Sequence, residues 1–596
     1  MNQSLLKCAC LLLLSFLFTC TDTTEKTNEE VGKKQPNIIL IMTDDQGWGD
    51  LSINGNQNLQ TPNIDALAKN GVVFQHFYVS PVCSPTRAEL LTGRHAVRGG
   101  VYSTSAGGER LDLDEVTVAQ YLKKAGYATA CYGKWHNGMQ YPYHPNGRGF
   151  DDYYGFCSGH WGNYIDPMLE RNGKIVQGEG FIIDDLTNKG IEFIKQNKEK
   201  PFFLYLPLNT PHSPMQVPDK WWDKVKDREI TQKHKAPEKE DETFTKAALA
   251  LCENIDWNVG RIVEALKEHQ LEENTLVIYL SDNGPNSWRW NGGMKGRKGS
   301  TDEGGVRSPL IMQWKGKVEA GTKVSQIASS LDILPTLAEM AGYQGSFEKS
   351  LDGQSLLPLL IETEGNWPDR YIVNHWNGNT SIRNQDFRLD HEDQLFDMVN
   401  DFGQSTDISG DFPEVYQTML NIKQNWESSV LPELPAEDTR SFTVGHPDYD
   451  WYQLPARDLV AHGNIQRSNR WPNSSFYTNW ISATEDSLTL DVEVLETGDF
   501  EAIIYYTCQP ENTGASFRLS FKEKTLDFKI EEAFTSDYLY PELDRVERQE
   551  SYEKRYNALN VGKIHLEKGQ GQLVLKATDI PGKAAIDFRL LMLKRV

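Results

Sequence analysis

Oxygen-bearing side chains suited to a hard metal ion occur in two segments that lie far apart in the chain. Asp44 and Asp45 follow one apolar run, and Asp282 with Asn283 follows another. Four such donors suit Ca²⁺, which accepts many oxygen ligands, whereas Mg²⁺ tolerates fewer direct protein ligands. A single pair of this kind is more often a turn or a helix cap. Together the two pairs predict one calcium site, provided that the fold brings them into contact.

A cysteine and an arginine occupy a segment that could carry nucleophilic chemistry. Cys83 begins the sequence CSPTR, and Arg87 ends it. The residues that follow predict a helix, with Pro85 in its first turn and Gly93 as its stop. Unpaired amides at a helix N-terminus favour anions, so Cys83 lies where an anionic group could bind. A lone Cys at a helix start would ordinarily be a buried structural residue.

Four short apolar runs must position these residues, and they predict buried strands at 37–42, 128–132, 202–206 and 275–280. Helical patterns lie between them, most clearly from Thr61 to Gly71 and from Glu242 to about His269. Alternating strands and helices predict a mainly parallel sheet covered on both faces, with ligands bound at the carboxyl ends of its strands. Those ends carry the two oxygen-donor pairs and three basic residues, namely Lys134, His136 and His212.

These segments resemble the signature sequences of the sulfatase family. CSPTR with the later TGR resembles the family's maturation motif, PNIILIMTDDQGWGD its opening strand, and LSDNG and GKWH its later site segments. The similarity extends through much of residues 36–430 and points to the formylglycine-dependent type I sulfatases of the alkaline phosphatase superfamily, resembling bacterial polysaccharide sulfatases. It implies one Ca²⁺ per chain and a maturation enzyme that converts Cys83 to formylglycine (3-oxoalanine).

The resemblance also implies how charged residues would serve the attack on sulfur. One hydroxyl of the hydrated formylglycine would be activated by Asp282 and calcium. Arg87 and Lys134 would hold the diol, while Lys134, Lys298 and calcium would offset charge on the sulfate oxygens. Aligning the segment MKGRKGSTDEGG on KGS and EGG selects Lys298 as the sulfate contact and leaves Lys295 as a second candidate.

Proton transfer would fall to the two histidines. The resemblance implies that His212, with help from Lys298, protonates the departing sugar oxygen. His136 would then remove a proton from the second hydroxyl, which expels sulfate and restores the aldehyde. An ordinary Ser or Cys lacks this route, because external water would have to hydrolyse its sulfated form.

Contacts to the substrate are predicted in loops that enter the same face. Aromatic rings packed on sugar rings would suit a carbohydrate. Alternatively, the tryptophans only pack within the protein. The candidate substrate contacts are Ser158, His160, Trp290, Lys295 and His375.

Three regions of different character follow the N-terminal segment. Residues 36–345 predict the α/β catalytic domain, an alkaline-phosphatase-like mixed sheet flanked by helices. Residues 346–435 predict a small α+β C-terminal subdomain with a helix near 414–427, and residues 440–596 alternate in the manner of an antiparallel β-sandwich.

Residues 1–20 predict a secretory signal peptide, in which Lys7 belongs to a mostly polar start and precedes a short apolar run. The run ends at Cys20, which resembles a bacterial lipoprotein cleavage site, and the polar residues 21–35 predict a flexible tether. We therefore expect an exported protein of the periplasm or cell surface, with a lipid anchor to the outer membrane through Cys20. Cleavage without lipidation is the alternative.

Charge and cysteine content limit the function further. The formal net charge of -23 over 596 residues argues against nucleic acid, which requires a concentrated basic surface. An anionic substrate remains compatible, because a few basic residues and a metal can create a locally positive pocket. Five cysteines follow Cys20, at 83, 131, 157, 252 and 508, and they form no CxxC or zinc pattern. One disulfide could form among them, and the sequence does not say which two would pair.

The predicted function is hydrolysis of sulfate esters on a sulfated carbohydrate, derived from an algal polysaccharide or a glycosaminoglycan. Two other functions are alternatives. A phosphodiesterase or phosphonate hydrolase of the same superfamily would use similar metals and a similar nucleophile. A surface glycan-binding lipoprotein would keep an inactive site and bind through its β-sandwich. The complete set of site residues disfavours this second alternative.

Overall fold

The computed structural model describes residues 35–361 and 367–596, and these cluster as one compact unit. The predicted signal peptide with Cys20, and the predicted tether as far as Lys34, lie outside the described residues. Among the helices of the described residues, none is long and apolar enough to cross a membrane. The five cysteines found there are free and buried, so the disulfide that the sequence left open is not formed among them.

The first ten strands form one mixed sheet. In chain order they are β1 (Asn37–Asp44), β2 (Val72–Tyr78), β3 (Ala128–Lys134), β4 (Asp152–Phe156), β5 (Met168–Arg171), β6 (Lys174–Gln177), β7 (Phe202–Pro211), β8 (Thr275–Ser281), β9 (Arg307–Trp314) and β10 (Thr322–Ser329). Their order across the sheet is β10-β2-β9-β8-β1-β7-β3-β4-β5-β6. β1 is parallel to both of its neighbours, and β3 is parallel to β7 and β4. β9 runs antiparallel between β8 and β2, which makes the sheet mixed.

Ten helices accompany the strands of the described residues. They are α1 (Pro62–Lys69), α2 (Cys83–Thr92), α3 (Val118–Lys124), α4 (Ile182–Gln196), α5 (Asp219–Trp222), α6 (Glu242–Glu268), α7 (Glu303–Val306), α8 (Ile333–Met340), α9 (Leu357–Ile361) and α10 (Pro413–Val430). Side chains of α1, α4 and α6 form one hydrophobic core with alternate residues of β1 such as Ile39, and side chains of α2, α3 and α8 form another with Ile38 and Leu40. Both faces of the sheet are therefore covered, which explains why the sequence of β1 is a continuous apolar run.

The four strands predicted from apolar runs are confirmed, and each extends further toward its carboxyl end than the run itself. The helix predicted after Thr61 is confirmed as α1, and the long helix predicted from Glu242 is confirmed as α6. The helix predicted at CSPTR begins at Cys83 and stops at Gly93, whose left-handed backbone (φ 67°) suits glycine. The helix expected near 414–427 is α10.

Two mainly antiparallel regions complete the chain, and the second is the predicted β-sandwich. One of its strand pairs, Phe442–Val444 with Ser487–Val494, is parallel. A four-stranded sheet contains β11 (Ile372–Trp376), β12 (Asn379–Arg383), β13 (Phe387–Leu389) and β14 (Leu395–Asp397). Two six-stranded sheets then enclose one hydrophobic core that includes Leu490 and Ile504. Their strands are β15 (Phe442–Val444), β16 (Trp451–Pro455), β17 (Val460–His462), β18 (Gln466–Arg467), β19 (Tyr477–Thr478), β20 (Ser487–Val494), β21 (Gly498–Thr507), β22 (Ser516–Phe521), β23 (Lys524–Lys529), β24 (Asn557–Leu566), β25 (Gly569–Asp579) and β26 (Asp587–Arg595). The boundaries predicted at 345 and 440 stay predictions, because the structure does not divide the unit there.

Candidate active site

The carboxyl ends of four parallel strands bring the predicted metal and acid–base residues together. Asp44 ends β1, Lys134 ends β3, His212 directly follows β7, and Asp282 directly follows β8. Asp44, Lys134 and Asp282 are fully buried. The convergence predicted from the sequence is therefore present in the structure, at the edge of the sheet where open α/β folds bind ligands.

Cys83 lies at the centre of this group, at the N-terminus of α2. Its Sγ and carboxylate oxygens of Asp44 and Asp282 lie within 4.8 Å of one another. Burial raises the pKa of the Cys83 thiol, although the charges of Lys134 and Lys298 oppose this shift. An unmodified Cys83 would thus stay a neutral thiol and a poor nucleophile, because the thiolate is the reactive form.

The oxygens around Cys83 fit a divalent cation. Asp44 Oδ1, Asp45 Oδ2 and Asn283 Oδ1 are buried and have no hydrogen-bond partner among the described residues. The amide of Asn283 donates to Asp45 Oδ1 (2.8 Å), which fixes the side chain and leaves its oxygen free. Buried anionic oxygens need a cation or donors to offset the loss of hydration. Together with Asp282 they provide the hard donor set that calcium or magnesium prefers.

Two lysines supply positive charge beside these carboxylates. Lys134 Nζ lies 2.7 Å from Asp44 Oδ2, and Lys298 Nζ lies 2.6 Å from Asp45 Oδ1. Burial opposes the charged form of Lys298, but the surrounding negative charge, of which Asp45 contributes most, together outweighs burial and raises the pKa of this lysine. Burial and the neighbouring Asp44 raise the pKa of Asp282 to about 6, against the lowering effect of nearby cations. Crowded carboxylates of this kind favour an additional cation.

Arg87 fastens the helix that starts at Cys83 to the ends of two strands. Its Nη2 and Nε donate to Asp282 Oδ2 at 2.8 and 3.2 Å, and its Nη1 donates to the carbonyl of Lys134 at 2.8 Å. The side chain is fully buried. Because the guanidinium binds fixed partners on two sides, it holds the start of α2, and with it Cys83, in a constant position relative to the predicted metal ligands.

His136 has the geometry of a neutral base. Its Nε2 lies 2.9 Å from the carbonyl of Thr104, which assigns the ring proton to Nε2 and leaves Nδ1 as the acceptor. Nδ1 is buried and without a partner among the described residues. Burial, followed by the charge of Lys134, lowers the pKa of His136 well below its ordinary value. The backbone of His136 adopts a left-handed conformation (φ 65°), which is unusual for a residue with a side chain.

His212 and His160 face each other across the site. His212 Nδ1 lies 2.6 Å from the carbonyl of Ser213, which leaves Nε2 directed toward Asp45 Oδ2 at 3.6 Å. Burial and the charge of Lys298 lower the pKa of His212 to about 4, so Lys298 is the member of this pair that holds a proton at neutral pH. The ring of His160 stacks on that of His212 with 5.8 Å between centroids, and its Nε2 is buried and unpartnered among the described residues.

The other predicted substrate contacts lie outside this cluster. The hydroxyl of Ser158 donates to Asn473 of the β-sandwich (3.0 Å). Lys295 forms ion pairs with Asp302 (3.4 Å) and Asp390 (3.3 Å).

Two aromatic candidates line cavities of their own. Trp290 borders a cavity of about 480 Å³ together with Trp48. His375 borders a cavity of about 350 Å³ together with Trp426, and this cavity reaches Pro85 on the helix that begins at Cys83. Of the five predicted contacts, the structure thus brings only His160 into the group around Cys83.

Residues of the β-sandwich that sequence reasoning missed approach the site. Arg457 and Asn473 contact the loop that carries His160, and Glu550 accepts a hydrogen bond from the hydroxyl of Ser213. No local motif surrounds these residues. Only the docking of the β-sandwich places them beside residues more than 250 positions earlier in the chain.

Comparisons with known proteins find similarity to sulfatases. Residues 36–343 match the family model for sulfatase, and residues 298–393 match that for the C-terminal region of N-sulphoglucosamine sulphohydrolase. The N-acetylgalactosamine-6-sulfatase of Mus musculus is 32% identical over 386 residues, which cover 58% of this chain and 69% of the relative.

Solved structures show the same similarity. Ps i-CgsB in complex with k-i-k-neocarrahexaose is 33% identical, with a TM-score of 0.61, over 67% of this chain and 94% of that protein. A protein from a Bacteroides thetaiotaomicron locus for the metabolism of multiple glycosaminoglycans is 25% identical, with a TM-score of 0.57, over 66% of this chain and 100% of that one.

Proposed function

Because the chain belongs to the sulfatase family and is a sulfuric ester hydrolase, we propose that it removes sulfate from a sulfated oligosaccharide or polysaccharide by formylglycine catalysis. The observation that carries this proposal is the meeting of Cys83 with the oxygen donors of β1 and β8 and with Lys134 and Lys298. An anionic ester placed there would meet positive charge on two sides.

We propose that a maturation enzyme converts Cys83 to formylglycine. The bond from carbon to sulfur breaks, sulfur leaves as sulfide, an oxygen atom from water takes its place, and an external oxidant accepts the two electrons. Asp282 accepts the proton of one hydroxyl of the hydrated aldehyde, and the oxygen of that hydroxyl bonds to sulfur. The bond from sulfur to the sugar oxygen breaks, and the sugar leaves as an alcohol. His212 supplies the proton for the sugar oxygen, with help from Lys298, whose charge lies beside Asp45. His136 Nδ1 then accepts the proton of the second hydroxyl, and sulfate leaves as the aldehyde re-forms.

Asp44, Asp45, Asp282 and Asn283 would hold the cation, which we propose is Ca²⁺. Such an ion supplies charge stabilisation for sulfate oxygens when it is bound. Support comes from the three buried oxygens that lack a donor among the described residues. Calcium suits this all-oxygen set better than magnesium does, because magnesium retains several waters.

The substrate class rests on two kinds of support. The neocarrahexaose-bound relative and the relative from a glycosaminoglycan locus are the structures reported above. His160 and His212 offer nitrogen atoms beside the site where the sugar would lie. A panel of defined sulfated oligosaccharides, with the desulfated carbon located by NMR, tests the proposal. Release of sulfate from none of them, by a preparation active on aryl sulfates, would contradict it.

We propose that the protein is exported to the periplasm or the cell surface and anchored to the outer membrane through Cys20. Support comes from the sequence alone, in the apolar run that ends at Cys20. Membrane fractionation of cells expressing the full chain and Cys20→Ala tests the anchor. The wild-type protein should fractionate with the outer membrane and the variant should not. Equal release of both would contradict lipidation and favour simple secretion.

The alternative of a phosphodiesterase or phosphonate hydrolase makes a different kinetic prediction. Such an enzyme would cleave aryl phosphates or phosphonates much faster than aryl sulfates. The alternative of an inactive glycan-binding lipoprotein predicts binding without sulfate release. Competing rates on matched aryl esters, measured on one preparation, separate all three functions.

A further inference from the structure

Arg457, which lies just after β16 in the β-sandwich, joins two loops that contact His136. Its side chain is only 2% exposed. Nη2 donates to Glu109 Oε1 (2.7 Å), and Nη1 donates to Asn473 Oδ1 (2.9 Å) and Ser158 Oγ (3.2 Å). We propose that Arg457 is a positioning residue for His136, the base of the second half of the catalytic cycle. This inference rests on the proposed function.

The first of these loops determines which nitrogen of His136 is the base. The carbonyl of Thr104 lies 2.9 Å from His136 Nε2 and so keeps the proton there. The same loop closes on Glu109, whose Oε2 accepts a hydrogen bond from the amide of Gly107 (2.9 Å) while its Oε1 binds Arg457. Arg457 therefore holds the loop that orients the imidazole and leaves Nδ1 free.

The second loop packs directly on the imidazole ring. A Cβ atom added at Gly159 would lie 2.7 Å from His136 Nε2 and 2.5 Å from Asn473 Nδ2. Asn473 Oδ1 accepts hydrogen bonds from both Arg457 and Ser158, which fixes the amide with its nitrogen toward Gly159. Arg457 thus presses this loop against the side of His136 that Thr104 contacts.

His136 needs such support from its surroundings. Its left-handed backbone conformation carries a cost that only neighbouring contacts can offset. The local contact from Ser84 reaches the carbonyl of His136 (3.1 Å) and leaves the ring itself unconstrained. The described contacts on the Nε2 side of the ring come from the two loops that Arg457 joins.

The two halves of the reaction depend on His136 to different degrees. In the first, one hydroxyl of hydrated residue 83 loses its proton to Asp282 and its oxygen bonds to sulfur. The bond from sulfur to the leaving oxygen breaks, and that oxygen takes a proton from His212 with Lys298 to depart as an alcohol. In the second, His136 Nδ1 takes the proton of the remaining hydroxyl, the carbonyl re-forms and sulfate leaves. A displaced His136 therefore slows only the second half and leaves residue 83 sulfated.

The test compares the wild-type protein with Arg457→Gln and Arg457→Lys in pre-steady-state assays on an aryl sulfate. We expect Arg457→Gln to lower kcat by roughly tenfold to a hundredfold, as is typical when a residue that orients a functional side chain is lost. One equivalent of phenol per active site should still appear at close to the wild-type rate. Mass spectrometry of the quenched protein should show residue 83 carrying SO₃. Arg457→Lys keeps the positive charge but lacks the two separate NH₂ groups of the guanidinium. Its kcat should therefore lie between those of the wild-type protein and Arg457→Gln.

Arg595→Met serves as the matched control, because Arg595 is a partly buried arginine that caps carbonyl groups within the β-sandwich. It should alter stability without trapping a sulfated protein. An unchanged kcat in either folded Arg457 variant would overturn the inference. So would a rate of the first phenol release that falls by the same factor as kcat. If the wild-type protein itself shows no turnover or an unmodified Cys83, the proposed function fails instead, which separates the two failures.

Discussion

The carboxyl edge of the large sheet and the β-sandwich both contribute residues to the site, but they position those residues differently. At the sheet edge, Asp44, Lys134 and Asp282 lie at or next to the last residue of a buried strand. From the β-sandwich, Arg457 and Glu550 reach the site through loops that have no motif around them. Chemistry that follows directly from local chain order is visible in a sequence, whereas support that depends on the docking of distant elements is not.

The largest effect on activity should come from substitution of Cys83, which lies among the residues at the carboxyl edge of the large sheet. Cys83→Ala should abolish turnover of aryl and sugar sulfates, because no aldehyde can form there. Cys83→Ser should do the same unless the maturation enzyme accepts serine. The fold should survive, with a loss of stability of about 1 kcal/mol from a single deleted buried atom. Steady-state kinetics and thermal unfolding of the purified variants measure both quantities, and substantial turnover by Cys83→Ala would refute the nucleophile.

Removal of the metal should affect both catalysis and stability. Asp44 ends β1 and Asp45 follows it, and Asp282 and Asn283 follow β8, so a cation bound by all four cross-links the ends of two strands. A ligand at a hundred times its Kd stabilises the native state by about 2.7 kcal/mol. Chelation should therefore lower the melting temperature and the activity, and added Ca²⁺ should restore both. Full activity in a protein shown by elemental analysis to be metal-free would rule out this site.

Deleting residues 440–596 should damage folding before it alters chemistry. The buried carboxylate of Glu109 would lose its partner Arg457, and the loop around His160 would lose its contacts with Asn473. Breaking a buried ion pair costs roughly 3–5 kcal/mol, which is a large part of the stability of a typical domain. Solubility and the rates on a small aryl sulfate and on sulfated oligosaccharides measure the outcome. A soluble truncation with full rates on both substrates would show that the β-sandwich is dispensable.

A smaller effect is expected at the second point where the β-sandwich approaches the site. Glu550 is buried, receives a hydrogen bond from Ser213 and has one oxygen without a partner among the described residues. Its negative charge opposes the lowering of the pKa of the adjacent His212. Glu550→Gln should therefore slow the hydrolysis of sugar sulfates a few-fold. It should leave the hydrolysis of aryl sulfates nearly unchanged, because their leaving group can depart as phenolate without being protonated. Equal losses on both substrate types would contradict this role.

The sequence predicted the strands and the first ring of site residues because both leave local signals. Four apolar runs followed by polar residues defined β1, β3, β7 and β8, and the resemblance to sulfatases identified Cys83. The antiparallel course of β9 carried no signal, since its residues would suit either direction. Lys295 forms ion pairs and Trp290 lines a cavity away from Cys83, so their predicted contacts with substrate stay predictions. Loop conformation decides such cases, and it depends on tertiary contacts.

The most direct test of the account is the mass of the peptide that contains residue 83, taken from protein whose desulfation rate has been measured. We expect the thiol of Cys83 to be replaced by an aldehyde and its hydrate, and the modified fraction to rise in proportion to specific activity across preparations. A highly active preparation in which residue 83 is wholly unmodified cysteine would contradict it.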